Sequence, residues 1–212
     1  MKNALVLVDI QNDFLPGGAL AVSDGNEVIP VVNKIVSRFD LVVATQDWHP
    51  ADHGSFAENH ADGSVGSVVD LNGLPQILWP THCVANSRGA DFASTLNIKA
   101  VDRVFPKGID AEVDSYSGFF DNGKRRGTGL AEFLKEAKVS QIYITGLATD
   151  YCVKATALEA CDLGFETYLV EDACRGVDLN PGDISRAIEE MREAGVFIIS
   201  CAELPIGGNC HA

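Results

Sequence analysis

Ile142-Tyr-Ile-Thr-Gly-Leu-Ala-Thr-Asp-Tyr-Cys-Val-Lys154 is the stretch from which the fold can be read. Ile142 to Thr145 is a short β-branched and aromatic run, which predicts a buried strand, and Gly146 ends it. Thr149 and Asp150 are of the types that cap helix N-termini. Beyond them Val153, Ala157, Ala160 and Cys161 recur at helical spacing, so a helix is expected to start close to Cys152. A strand feeding directly into a helix is the unit of a parallel α/β sheet. It also places a thiol in a helix's first turn, where the dipole and free N–H groups favour thiolate and a lowered pKa. The plainer alternative is a helix cysteine that only packs.

The same unit repeats on both sides of this stretch. Ala4-Leu-Val-Leu-Val8 is an apolar run suited to a strand buried on both faces, and it ends on Asp9. Val28, Val32, Ile35, Val36 and Phe39 follow helical periodicity, and Leu41 to Thr45 is a second strand, ending on Gln46 and Asp47. Arg103 to Pro106 is a third strand, ending at Lys107-Gly108. Leu130, Phe133, Leu134 and Ala137 mark a helix before the central stretch. Phe165 to Val170 predicts a fifth strand. Asn180-Pro181 reads as a cap with proline at the first helical position, ahead of the Ile184, Ile188 and Met191 stripe. Val196 to Ile199 is a sixth strand. The segment from Trp48 to about Asn97 shows little periodicity, yet it holds both tryptophans and four of the five histidines. A long irregular excursion with that content points to function. The expectation is one α/β domain over residues 1–212, a three-layer α/β/α sandwich around a six-stranded, mostly parallel, Rossmann-like sheet.

A formal net charge of -14 argues against nucleic acid or anionic membrane as a partner. No run is long and apolar enough for a membrane span, and the start has no signal-peptide pattern, so a cytoplasmic location is the expectation. The six cysteines (83, 152, 161, 174, 201 and 210) form no C-x-x-C pair and are expected to be free thiols. Of these, Cys210 is expected to be exposed and inert. Oligomeric state is left open by the sequence, a homo-oligomer included.

Ligands of an open parallel sheet bind beyond the carboxyl ends of its strands. Asp9, Asp47, Lys107 and Cys152 all fall at that edge by topology. Chemistry then suggests roles: Cys152 as nucleophile, Asp9 as the group that takes its proton and later returns it, and Lys107 as the charge that stabilises both. Taken singly, Asp9 also fits a loop-capping carboxylate and Lys107 a solvated lysine. A second constellation is Asp47-Trp-His49-Pro-Ala-Asp-His53, with Trp79-Pro-Thr-His82-Cys83 downstream. An Asp-x-His pair completed by a further histidine suits an open Zn²⁺, Fe²⁺ or Mn²⁺ site, with Cys83 a less favoured donor. Phe14, Trp79 and Tyr116 lie in loops that follow strand tips, as lids on the core or as walls for a flat ligand.

On Leu7-Val-Asp-Ile-Gln-Asn-Asp-Phe14, Thr45-Gln-Asp-Trp-His-Pro-Ala-Asp-His53, Trp79-Pro-Thr-His-Cys83, Lys107-Gly, Tyr116-Ser-Gly-Phe119 and Gly146-Leu-Ala-Thr-Asp-Tyr-Cys152, the chain resembles the nicotinamidase/pyrazinamidase family of isochorismatase-like cysteine hydrolases. The likeness spans nearly the full length. It implies a Cys152–Asp9–Lys107 triad that hydrolyses nicotinamide to nicotinate and ammonia, with pyrazinamide a further substrate. It implies one divalent metal, Zn²⁺ first, held by Asp47, His49 and His82 with His53 nearby, that binds the pyridine nitrogen. It also implies a cis peptide before Ala148, an oxyanion hole from the N–H groups of Ala148 and Cys152, and a ring pocket of Phe14, Trp79 and Tyr116.

Overall fold

Ala4 to Val8 are all buried, as the central strand of a parallel sheet requires. Alternate residues face opposite sides: Ala4, Val6 and Val8 join one core, Leu5 and Leu7 the other. The computed structural model describes residues 2–204; Cys210 lies outside them. In chain order the main elements are β1 (Lys2–Val8), α1 (Val28–Ile35), β2 (Leu41–Asp47), β3 (Val68–Leu71), β4 (Leu74–Ile77), β5 (Arg103–Lys107), α2 (Leu130–Glu136), β6 (Val139–Leu147), α3 (Lys154–Asp162), β7 (Glu166–Arg175), α4 (Asp183–Glu193) and β8 (Phe197–Ile199).

Six strands form one sheet in the order β5-β2-β1-β6-β7-β8, and every pairing in it is parallel. Buried residues of α2, α3 and α4 pack on one face, and α1 with the 80s and 90s loops packs on the other. The architecture is thus the expected three-layer α/β/α sandwich. Strand order reverses between β1 and β6, which makes their carboxyl ends the switch point where such sheets bind ligands.

Four local expectations need correction. Thr149 and Asp150 do not cap α3. They lie inside a π-helical turn (Thr149–Val153) that follows a cis Leu147–Ala148 peptide. The Asp150 carboxylate instead accepts the N–H groups of Val177 and Asp178, so it ties this turn to the loop after β7. Asn180-Pro181 lies ahead of α4, whose N-cap is Gly182, because Asp183 reaches back to accept the Asn180 N–H. β7 runs on to Arg175: after Ile144↔Leu169 the pairing resumes at Gly146↔Cys174, with an irregularity absorbing the exposed Glu171 and Asp172. The Trp48–Asn97 excursion also contains a hairpin. Leu71 pairs with Leu74 across Asn72-Gly73, both at positive φ (55° and 85°), the geometry that an Asn-Gly two-residue turn favours.

Gly146 shows why the central stretch needs glycine. Its φ is +116°, and a Cβ there would lie 2.1 Å from the carbonyl oxygen of Val8. Gly146→Ala is expected to destabilise the fold by about 3 kcal/mol or more, seen as a lowered urea midpoint at unchanged m-value.

Candidate active site

The parallel register brings the predicted residues together. Asp47 and Lys107 are cross-strand partners at the ends of β2 and β5. Asp9 follows β1 at a φ of 49°, and Cys152 sits in the π turn after β6. All four side chains are buried. Lys107 Nζ donates to Asp47 Oδ1 at 2.5 Å, to the Ser115 carbonyl at 2.8 Å and to Cys152 Sγ at 3.3 Å. Asp9 Oδ2 lies 2.9 Å from the same nitrogen, as the second carboxylate of the ion-pair cluster. The other oxygen, Oδ1, accepts from Thr45 Oγ1 at 2.6 Å. The Asp9 carboxylate is within 4.8 Å of the Cys152 sulfur.

Electrostatics differentiates the two aspartates. Burial raises the Asp9 carboxyl to about 6, with Lys107 opposing and Asp47 reinforcing the rise. Burial acts on Asp47 in the same direction, but the Lys107 ammonium and His49 override it and hold Asp47 well below the usual carboxylate range. Burial alone would lower Lys107, and Asp47 and Asp9 instead hold its ammonium charged. The Cys152 thiol is raised by burial and by the two carboxylates, against the pull of Lys107. This reverses the expectation of a thiolate favoured by the helix terminus: desolvation and two nearby negative charges outweigh the turn's dipole. The resting sulfur carries its proton, and Asp9 has the lone pair to receive it.

Asp47, His49 and His82 present donor atoms all within 4.8 Å of one another. His49 Nδ1 bonds the Gly108 carbonyl at 2.8 Å, and His82 Nδ1 bonds the Pro80 carbonyl at 2.7 Å. In each ring this leaves Nε2 for the centre, as is usual for metal-binding histidines whose other nitrogen is anchored to the protein. Gly108 has to be glycine here, since a Cβ at its φ of +63° would lie 2.3 Å from His49 Cε1. His53 does not join that trio. Its Nδ1 bonds Ser55 Oγ at 2.7 Å, its Nε2 is buried without a partner, and it groups with His49 and Asp114. Burial, then the neighbouring His49, takes His53 and His82 each down to about 4, so both rings are neutral donors. Cys83 is excluded from the donor cluster. It is buried in the core on the α1 side, and its N–H is accepted by Asp13 Oδ2 at 2.7 Å.

Between the sulfur and the histidines lies a narrow cavity lined by Phe14, Trp79, Tyr116, Ala148 and Cys152 among others. Phe14, Trp79 and Tyr116 are therefore walls. Tyr151 adds a fourth aromatic, edge-on to Trp79 at 4.9 Å. Sequence reasoning gives no role to Tyr151, Thr45, Asp114 or Gln11. Gln11 is fully buried and brackets Asp47 by accepting its N–H and donating to its carbonyl, both at 2.8 Å. Tyr151 is detectable from its place beside Cys152. The other three act through contacts between segments far apart in sequence, which no local spacing reveals.

An isochorismatase domain family model matches residues 3–203. The nicotinamidase of Escherichia coli K12 is 47% identical over 204 residues, covering 94% of this chain and 95% of that protein. Among solved structures, the Acinetobacter baumanii nicotinamidase/pyrazinamidase is 43% identical with a TM-score of 0.93, covering 96% and 98% of the two chains. The pyrazinamidase of Pyrococcus horikoshii, solved in complex with zinc, is 41% identical with a TM-score of 0.76, covering 94% and 99%.

Among the described residues, no helix is long and apolar enough to cross a membrane. Thr45→Val removes a hydrogen bond to the charged form of Asp9 and is expected to raise that carboxyl further above about 6. A ¹³C NMR titration of the Asp9 carboxyl checks it, and an unchanged or lower midpoint contradicts stabilisation of the Asp9 carboxylate by the Thr45 hydroxyl.

Proposed function

Because this chain belongs to the isochorismatase family, we propose that it is a nicotinamidase: an amidohydrolase that converts nicotinamide and water to nicotinate and ammonia, and that also hydrolyses pyrazinamide. The observation that carries this reading is the juxtaposition of a buried Cys152–Lys107–Asp9 unit with a three-donor Asp47–His49–His82 cluster across one aromatic-walled cavity.

In this reading the nicotinamide ring lies between Phe14, Trp79 and Tyr116, with its carboxamide at Cys152. Asp9 takes the thiol proton as sulfur attacks the amide carbon. The tetrahedral oxyanion is received by the backbone N–H groups of Ala148 and Cys152, each such donor being worth about 3 kcal/mol. Asp9 then protonates the departing ammonia, leaving a thioester on Cys152. The same carboxylate activates water to release nicotinate and returns the proton to sulfur, so the cycle closes without net change. Lys107 keeps its charge throughout and lowers the cost of negative charge on sulfur. A carboxyl near 6 is well matched to this double duty.

The residues also fit a divalent cation. Asp47 brings a buried carboxylate to His49 and His82, and the buried Asp114 stands beside His49 and His53. Two histidines have their outer nitrogens anchored to carbonyls and their inner ones turned to the cluster, that of His49 3.7 Å from Asp47 Oδ2. Zn²⁺ is the ion we favour, with Fe²⁺ and Mn²⁺ suited to the same donors. Asp47, His49 and His82 would hold it, with His53 alongside. Bound there, it would supply a Lewis acid for the pyridine nitrogen and so fix the ring's orientation.

The main test is ammonia release by metal-replete protein from nicotinamide, with benzamide, which lacks the ring nitrogen, as comparison. Nicotinamide is expected to turn over quickly, benzamide poorly, and EDTA to abolish the difference. No release from nicotinamide refutes the substrate assignment. Cys152→Ala is expected to remove turnover while metal content stays near wild type, so activity retained by a metal-replete variant contradicts the nucleophile. The base must be ionised to accept the thiol proton, and its pKa is raised to about 6. Accordingly kcat/KM is expected to be flat just above pH 7 and to fall about tenfold per pH unit well below 6. A limb that starts near pH 4 contradicts Asp9 as base.

A further inference from the structure

Gln76 is the one buried residue of the β3–β4 hairpin, where Val68 is 64% exposed and the remaining positions are exposed or half-buried. A hairpin with so little core of its own has no packing reason to bury an amide, and an unpaired buried amide would be costly. The partners of that amide are the informative feature. Nε2 lies 2.9 Å from Asp114 Oδ2, 3.2 Å from the Tyr116 hydroxyl and 2.7 Å from the carbonyl of Ile77. The same Tyr116 hydroxyl accepts the indole N–H of Trp79 at 3.1 Å. Asp114 lines the cavity and has an oxygen within 4.8 Å of ring nitrogens of His49 and His53. One amide thus reaches both aromatic walls, through a single hydroxyl, and the histidine side of the cavity, through a single carboxylate.

We infer that Gln76 is a positioning residue for the substrate ring: it holds Tyr116 and Trp79 in their wall geometry through the Tyr116 hydroxyl and ties that wall to Asp114. The inference rests on the cavity binding a flat aromatic amide, as proposed above. The residue touches no reacting atom, so its loss weakens ring binding in ground state and transition state alike and leaves the chemistry at Cys152 in place.

The test uses full-length wild type, Gln76→Met, Tyr116→Phe and the double variant. Gln76→Met keeps the length of the side chain and removes its donors. It is expected to raise KM for nicotinamide about tenfold with kcat within about threefold of wild type. Because the tie to the aromatic walls runs through one hydroxyl, the KM of the double variant is expected to fall clearly short of the product of the two single effects. A purely structural role lowers the melting temperature without this KM-against-kcat split. A folded Gln76→Met with wild-type KM, or effects that multiply in the double variant, overturns the inference. If Gln76→Met does not fold, Gln76→Glu, equal in size, is read by the same criteria. A second readout needs no substrate: the indole N–H resonance of Trp79 is expected to shift in Gln76→Met, and an unmoved resonance overturns the inference. If wild type leaves nicotinamide intact while that resonance shifts, the substrate reading fails and the positioning role of Gln76 stands.

Discussion

The site depends on one buried ammonium. Lys107 has no access to water, and burial by itself would strip its proton; two carboxylates keep it there. In return it holds Asp47 ionised and leaves Asp9 as the weaker acid of the pair. A single positive charge shared unevenly thus separates two chemically identical residues into one held ionised and one raised to about 6. The asymmetry comes from surroundings: Asp47 has the shorter contact to the ammonium and also faces His49 and His82, whereas Asp9 has the ammonium at 2.9 Å and the Asp47 charge against it. Removing the ammonium would leave two buried carboxylates facing each other, an arrangement in which one must take up a proton.

The sheet makes this pairing possible at low conformational cost. Asp9, Asp47, Lys107 and Cys152 come from four consecutive strand ends in the order β5-β2-β1-β6, and the long Lys107 side chain runs across these ends to meet the other three. Placement at the switch point opens a crevice above them, which the aromatic loops then roof. Backbone hydrogen bonds of the sheet, together with anchors such as Gln11 and Thr45, hold the groups before any ligand arrives. This is the preorganisation that electrostatic catalysis needs.

Much of this is legible in the sequence, for identifiable reasons. Apolar runs such as Ala4–Val8 and Ile142–Thr145 report a doubly covered strand directly, and strand ends in a parallel sheet share one edge whatever their order. That suffices to bring Asp9, Asp47, Lys107 and Cys152 together. The state of the thiol escapes such reading because helix-terminus reasoning is local, whereas the charge on Cys152 depends on burial and on carboxylates from other strands. Asp150 escapes it for a similar reason: its partners are the N–H groups of Val177 and Asp178, in a distant loop. The hairpin is a different kind of miss. Asn72-Gly73 between Leu71 and Leu74 is a strong turn signal, obscured by the glycine- and aspartate-rich segment around it. With the hairpin goes Gln76, whose importance lies entirely in what it touches.

The pairing of Asp47 with Lys107 across β2 and β5 makes the site a fixed gauge. One residue of that pair belongs to the histidine cluster and the other contacts the sulfur, which itself follows β6, so the span between the two ends of the cavity is carried by the sheet. Loops can open, close or lose their aromatic side chains without altering that span. A molecule is therefore measured along one dimension by the most rigid part of the protein and across the other two by its most replaceable parts. In the proposed reading, changes in the aromatic walls would alter which substituents fit while leaving the distance between the histidine cluster and the sulfur in place.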